Sequence, residues 1–312
     1  MKVALTVDMD NYREYQRLVD PDGAAPSFSF YDDAVPRFLD IFDRHGVRGT
    51  FFMVGCDAET PAHRAAIREI DQRGHEVANH SWSHPYNLRS LPRKQKVEEI
   101  ARAEETIADI LGERPVGFRC PSGELDREVL QILDERGYHY DSTVFPTPFM
   151  WLFMIYGKLF VRHADYQLGE VTAVFAPRRP YWPTAAKIHR EQNGAGALDP
   201  SVLEIPFSAV PILGLPLYGT LFRMLGVRAF EWAAGWSARR GGPLHMIYHL
   251  MDLVDLQGSS LGEAIGRTPG LGVPFERREH FVDRSAATLT SLGQAVPLRE
   301  LAADARAARG LA

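Results

Sequence analysis

Lys2-Val3-Ala4-Leu5-Thr6-Val7-Asp8-Met9-Asp10 decides how this chain is read. Val3 to Val7 is an apolar run of strand type, and it leads straight into two aspartates. Residues two apart on a strand share a face, so Asp8 and Asp10 project side by side despite the Met9 between them. Further along, His80-Ser81-Trp82-Ser83-His84 supplies two imidazoles four residues apart. In a helical turn that spacing puts both rings on one face, where they can close on one ion. Two imidazoles and a carboxylate, with a spare carboxylate beside them, are the minimum apparatus of metal-assisted hydrolysis. The plainer alternative is a helix-start pair of histidines with ordinary hydrogen bonds.

Working outward, strand-like and helix-like segments alternate through the first half. Tyr31 to His45 carries Val35, Phe38, Leu39 and Phe42 at helical spacing and stops at Gly46. Val47 to Val54 is β-rich, Ala62 to Arg73 reads as a helix, and Glu76 to Ala78 leads into the histidine pair. Lys94 to Leu111 is a charged amphipathic helix closed by Gly112, followed by a short strand, Val116 to Phe118. Arg127 to Arg136 is a further helix and Tyr138 to Val144 a further strand. Repeated βα order predicts an α/β fold with a parallel, barrel-like sheet, which presents catalytic groups at the C-terminal ends of its strands. Asp8, Asp10, His80, Arg119 and Asp141 all fall at or just after such ends.

From Phe145 to Gly242 this order is lost in a stretch rich in proline, glycine and aromatics. It returns with a strand, His245 to Leu250, a helix around His280 to Leu292, and Val296 leading into a terminal helix. We expect one catalytic domain over residues 1–312 with an insertion at 145–242. The apolar runs Phe149 to Tyr156 and Ile212 to Leu225 admit two readings: a satellite core packed on the barrel, or a platform facing a membrane or a lipid-linked substrate.

Composition narrows the function. A net charge of −5 without a basic cluster argues against a nucleic-acid binder. The two cysteines, Cys56 and Cys120, are too few for a disulfide framework and fit a reducing compartment. Nothing reads as a signal peptide, and no apolar run approaches the roughly 18 residues of a spanning helix. The expected location is the cytoplasm, with peripheral contact at the inner membrane face open.

Asp8-Met9-Asp10, His80-x-x-x-His84, Phe118-Arg119-Cys120-Pro121-Ser122-Gly123, Tyr140-Asp141-Ser142 and Ile247-Tyr248-His249 resemble, in order, the motifs of the polysaccharide deacetylase family, which includes chitin, peptidoglycan and chitooligosaccharide deacetylases. The resemblance covers about residues 1–144 and 243–300. It implies a distorted (β/α) barrel, with a long insertion before the last catalytic strand. It also implies metal-dependent removal of an acyl group. By the same resemblance Asp10, His80 and His84 are metal ligands, Zn²⁺ first, with Co²⁺, Ni²⁺, Fe²⁺ or Mn²⁺ open. Asp8 is the base and Arg119 the arginine that holds it; Arg119 could instead pair with another acid. His249 is the acid, and Asp141 supports it or is simply a strand-end turn residue. His245 shares a strand face with His249, leaving a second metal site as an alternative.

The expected activity is hydrolysis of the N-acyl group, acetyl or formyl, of an amino sugar in a glycan or lipid-linked precursor. Family members usually carry adjacent aspartates. The Met9 spacer echoes a subgroup with unusual substrates, so hydrolysis of a non-sugar amide, imide or ureide stays an alternative. A catalytically silent binding protein on the same fold is a third reading.

Overall fold

The computed structural model describes residues 1–22, 28–149, 151–152, 154–155, 159, 169–192, 200–267 and 272–311. Eight strands form one sheet in which every pairing between named strands is parallel. They are β1 (Lys2–Asp8), β2 (Thr50–Met53), β3 (Glu76–Asn79), β4 (Gly117–Phe118), β5 (Tyr140–Asp141), β6 (Leu203–Glu204), β7 (Leu244–His249) and β8 (Gln294–Ala295). The order across the sheet is β6-β5-β4-β3-β2-β1-β7, with β8 also paired to β1. Helices connect the strands, and the sheet curls into the distorted (β/α) barrel that the family resemblance implies.

The local signals act as their chemistry dictates. Ser29 caps the helix Phe30–Arg44 by accepting from Tyr31 N at 3.2 Å. Thr60 and Asp126 do the same for Pro61–Gln72 and Arg127–Glu135. Gly112, at φ 80°, ends Arg93–Leu111 in the left-handed conformation that glycine adopts without penalty. Phe38 and Phe42 from Phe30–Arg44 pack on Phe51 of β2 with ring centroids 6.5 and 5.8 Å apart, in the core between helix layer and sheet.

Several boundaries differ from the sequence reading. The run Tyr138 to Val144 yields a strand of only two residues; beyond it Thr143 Oγ1 donates to Asp141 Oδ1 and Ser142 Oγ to the Ile205 carbonyl. The sequence pattern also passes over the helices Tyr12–Val19, Gly219–Leu225, Val227–Ala238 and Ser260–Arg267, and the strand β6.

The stretch 145–242 is joined to the barrel rather than hung from it. β6 extends the sheet beyond β5, with Tyr140 opposite Leu203 and Asp141 opposite Glu204. A hairpin follows, with Ala209 paired antiparallel to Pro216 and Leu217 N donating to the Ser208 carbonyl at 2.7 Å. Its base reaches β7: Tyr218 pairs with Ile247, and His245 N donates to Ser208 Oγ at 2.8 Å. The hairpin thereby bridges the two outer strands of the path, β6 and β7. Met150, Phe153 and Tyr156 lie outside the described residues, and Trp151, Leu152 and Ile155 are exposed rather than in a core. Within Ile212 to Leu225 the outcome is mixed: Leu217 and Phe222 are buried, whereas Ile212, Leu213, Met224 and Leu225 are exposed.

Candidate active site

Strand register brings the functional side chains to one rim. Asp8, at the end of β1, lies opposite Phe52 of β2 and His249 of β7. Asn79 pairs with Phe118, and Phe118 pairs with Asp141, so His80, Arg119 and Asp141 follow at successive strand ends. Met9 is fully buried and its N–H extends the ladder to the Phe52 carbonyl at 3.0 Å, which leaves Asp8 and Asp10 on the same side.

Asp10 Oδ1 lies 3.6 Å from His80 Nε2 and 3.5 Å from His84 Nε2. One donor atom from each of the three residues falls within 4.8 Å of the others, and all three side chains are buried. The histidines do not sit on a helical turn. His80 N still bonds the Met53 carbonyl at 2.9 Å, after which Ser81 (φ 66°) and His84 (φ 51°) bend the chain sharply. Asn79 Oδ1 accepts from Ser81 N at 2.8 Å and Ser81 Oγ from His84 N at 3.2 Å, which fixes the bend. The rings still converge, with centroids 5.0 Å apart.

The donor set fits a divalent cation. His80 Nδ1 donates to the Arg119 carbonyl at 2.8 Å, so its Nε2 presents a lone pair to the cluster. Burial lowers the proton affinity of both histidines, and for His84 the neighbouring His80 lowers it further; both are neutral, the ligating form. Asp10 Oδ1 is buried without a hydrogen-bond partner. Burial, with the charges of Asp8 and Glu14, pushes Asp10 well above the usual carboxylate range, a cost that a cation at this point removes.

Asp8 is held differently. Burial pushes it upward, but the Arg119 guanidinium beside it, helped by His80 and His249, keeps it below its ordinary value and ionised. Arg119 is itself buried. Its Nη1 bonds Asp8 Oδ1, its Nε donates to the Ser142 carbonyl at 2.8 Å, and its plane stacks 3.8 Å from the Phe52 ring centroid. Arg119 Nη2 also donates to His245 Nε2 at 3.1 Å. Burial and the guanidinium push His245 down to about 3, so it stays neutral and serves as an acceptor for Arg119. His245 thus faces the arginine on the barrel interior rather than joining His249 in a second ligand pair.

His249 Nε2 lies 4.0 Å from both Asp8 Oδ2 and Asp10 Oδ2, across the cluster from His80. The carboxylate nearest its backbone is Asp252, whose Oδ2 accepts from His249 N at 2.9 Å while the His249 side chain accepts from the Asp252 N–H. Asp252 is in turn paired with buried Arg223, from the helix Gly219–Leu225. Asp141 is not brought to His249. Its Oδ1 accepts from Thr143 Oγ1 at 2.8 Å, and its carboxyl faces Glu204 of β6. Burial raises both acids, Glu204 most, so the pair holds a shared proton inside the sheet edge. Cys120 is a buried side chain whose thiol burial pushes well up, which leaves it inert.

Sequence reasoning passed over a second layer of polar residues beside the cluster. Asn11 Oδ1 accepts from Tyr12 N (2.8 Å) and Phe30 N (3.0 Å), while its Nδ2 donates to Asp57 Oδ1 at 3.2 Å. Arg13 pairs with the same Asp57 oxygen at 2.6 Å. Glu14 is buried with both carboxyl oxygens unpartnered, and burial together with Asp57 pushes it up to about 8. A cap residue directly after Asp10, and an acid among the buried positions of the helix Tyr12–Val19, are the signals that could have found them.

Comparison with known proteins agrees with this geometry. Residues 3–140 match the family described as Polysaccharide deacetylase. It is 26% identical over 148 residues to a peptidoglycan deacetylase of Helicobacter pylori, covering 47% of this chain and 49% of that protein. It is 31% identical over 103 residues to a peptidoglycan-N-acetylglucosamine deacetylase of Bacillus cereus, covering 33% of this chain and 36% of that one. The chain therefore spans no more than about half the length of these curated relatives. The crystal structure of a polysaccharide-deacetylase-like protein of Mycobacterium smegmatis superposes with a TM-score of 0.58 at 22% identity, covering 100% of this chain and 91% of that one. That likeness establishes the fold.

Proposed function

We propose that this protein is a metal-dependent hydrolase that removes an acetyl or formyl group from the nitrogen of an amino sugar, free in a glycan or carried on a lipid-linked precursor. The observation that carries this reading is that Asp8 and His249 both border one three-donor cluster, with Asp8 Oδ2 3.8 Å from His80 Nε2 and His249 Nε2 4.0 Å from Asp10 Oδ2. A divalent cation held by Asp10, His80 and His84, Zn²⁺ by the borderline character of the donors, supplies polarisation of the acyl carbonyl and a lowered pKa for a bound water. Asp8, kept ionised by Arg119, is the group that accepts the water proton as its oxygen adds to the carbonyl carbon. His249 Nε2 faces the same space and delivers a proton to the nitrogen as the carbon–nitrogen bond breaks. One water is consumed, and an amine and a carboxylic acid leave.

Two features support the pairing of roles. Asp8 alone of the two aspartates is bonded to an arginine, which suits a base that must stay charged. Asp10 alone faces both histidines at hydrogen-bond range or just beyond, which suits a ligand. We further propose a cytoplasmic location, for which the two free, buried thiols of Cys56 and Cys120 give modest support. Cell fractionation tests that part by itself.

The central test is a deacylation panel with metal-supplemented protein, covering N-acetyl and N-formyl amino sugars, their oligomers and lipid-linked forms, beside cyclic imides and ureides. Release of acetate or formate from the sugars is the expected result. Ring opening of the imides without sugar turnover would replace this substrate class, and no turnover with metal bound would leave a binding protein.

A further inference from the structure

We propose that the hairpin tip at Ile212-Leu213, together with Trp151, Leu152, Arg178 and Arg240, is a docking surface for an anionic phospholipid membrane, at the mouth of the catalytic site.

Exposed apolar side chains are concentrated in one part of this protein. Among the described residues eleven large hydrophobics are exposed, and all except Met1 lie between Trp151 and Trp232. The best-defined element of that part is the hairpin that links β6 to β7. Val210 N donates to the Leu215 carbonyl at 2.7 Å and closes the turn, and Ile212 and Leu213 at its tip are 77% and 43% exposed. Ile212 has φ 64°, a left-handed conformation in which a β-branched side chain is strained and where glycine or asparagine would sit without cost. An exposed, apolar and strained residue at a turn tip gives the fold nothing, which points to a use outside it.

The neighbours of the tip extend the same surface. A side chain at Gly214 would meet Pro148 at 2.5 Å and the Arg178 guanidinium at 3.0 Å, so the tip packs against both. Trp151 and Leu152 lie three and four residues after Pro148, with Leu152 N bonded to the Phe149 carbonyl at 2.9 Å, and both are exposed. Arg178 lies in the field of Arg240 at the end of the helix Val227–Ala238. Among the described residues neither guanidinium has an acidic partner, although both are exposed.

Charge selects the occupant. Residues 145–242 carry ten lysines and arginines against six aspartates and glutamates, whereas the rest of the chain carries 25 against 34. A segment of net +4 therefore sits on a body of net −9, together giving the chain's −5. A second copy docking by the same face would set these arginines against one another. A layer of lipid phosphates complements them while the apolar tips enter the headgroup boundary.

The surface is continuous with the site. Phe145, ahead of Pro148, stacks on Phe207 at 4.0 Å and meets Tyr218 at 5.8 Å; Tyr218 in turn meets His249 at 5.7 Å. Phe207 and Tyr218 are the two arms of the hairpin, so its base lines the site while its tip faces out. Docking by the tip holds the catalytic mouth close to the bilayer.

The test is flotation of the full chain with vesicles in a density gradient, with no enzymatic readout, so its outcome is independent of the deacylation reading. Wild type is expected to float with phosphatidylcholine vesicles containing phosphatidylglycerol, and far less with phosphatidylcholine alone. Ile212→Asn combined with Leu213→Asn should lower binding at least tenfold while Tm is unchanged or raised, since asparagine relieves the backbone at position 212. Arg178→Gln with Arg240→Gln should lower it roughly thirty-fold, at about 1 kcal/mol for each charge. The proposal is overturned if wild type does not float with the anionic vesicles, or if either double variant floats as well as wild type. It is also overturned if light scattering finds a dimer that the tip substitutions dissolve.

Discussion

Replacing Arg119 by methionine tests the electrostatic core of the site. The guanidinium lies between the Phe52 and Phe207 rings, 3.8 and 4.7 Å from their centroids, so an unbranched apolar side chain can occupy its space. What is lost is the one guanidinium bonded to Asp8 among the described residues, together with bonds to Ser142, Thr6 and His245. Removing one partner of a buried ion pair costs about 3–5 kcal/mol, because the remaining charge stays buried without compensation. At about 2 °C per kcal/mol for a chain of this size, Tm at pH 7 should fall by roughly 6–10 °C.

The pH dependence carries the sharper test. In the wild type Asp8 has a lowered pKa, so its pair with Arg119 stabilises the fold above pH 3.8 and that contribution is lost as pH falls through the lower folded value. In Arg119→Met burial is opposed by His80 and His249 alone, and the Asp8 pKa rises. The variant's deficit in Tm should therefore be large at pH 7 and shrink toward pH 4, where the carboxyl is neutral. The ascending limb of kcat/KM against pH should move to higher pH, with a loss on the order of a hundredfold or more at pH 7. Arg119→Lys keeps a positive charge and should restore much of the limb's position but not the stability, since lysine cannot reproduce the fork. Thermal unfolding across pH 4–8 and pH–rate profiles measure both. If Arg119→Met leaves the Tm difference flat with pH and the ascending limb in place, Arg119 does not set the charge of Asp8.

Four further outcomes follow from the same geometry. His84→Ala should lose the cation, whereas His249→Ala should keep it and lose turnover by a factor on the order of 10²–10⁴; metal analysis after dialysis, beside the deacylation assay, separates the two. Glu14, raised by burial to about 8, contributes stability that is full below about pH 4.5 and lost as pH rises to about 8. Glu14→Gln should therefore raise Tm at pH 8 and leave it little changed at pH 4.5, as calorimetry of the metal-free protein would show. Gly117→Ala should destabilise strongly, by about 3 kcal/mol or more in denaturant unfolding, because its Cβ would lie 2.0 Å from the Tyr140 ring. Asp252→Asn should leave metal content unchanged and lower kcat, since Asp252 is the carboxylate that grips the His249 backbone.

How far the sequence carried the reading depends on whether a side chain's partners are local. The strands at Val3–Val7 and Glu76–Ala78, and the helices near 31–45, 62–73 and 94–111, were legible because apolar spacing and caps act within a few residues. The two aspartates were legible for the same reason, since strand geometry alone puts them on one side. The histidine pair was legible as a pair but not as a shape. Spacing of four fits a helix, yet Asn79 and Ser81 impose a bend with two left-handed residues that brings the rings together equally well. Asp141 shows where legibility ended. Its position at a strand end follows from pattern, but its partner is set by β6, a two-residue strand from a segment without periodicity.

That exchange bears on how the site is built. In β5 Asp141 shares a proton with Glu204 inside the sheet edge, while the carboxylate beside His249 comes from the next turn of its own chain, three residues on. Asp252 is anchored by Arg223, Tyr218 packs edge-on to His249, and Glu204 occupies Asp141; all three come from residues 145–242. The segment 145–242 thus contacts both Asp252 and Asp141. It also supplies the hairpin whose tip is exposed, so the segment that positions His249 is the one that faces outward. A change that moves the hairpin should then alter turnover through Tyr218 and His249 without touching Asp10, His80 or His84. Deleting only the tip, Ile212 to Leu213, should preserve metal content, and any fall in kcat measures how tightly the outer surface and the acid are coupled.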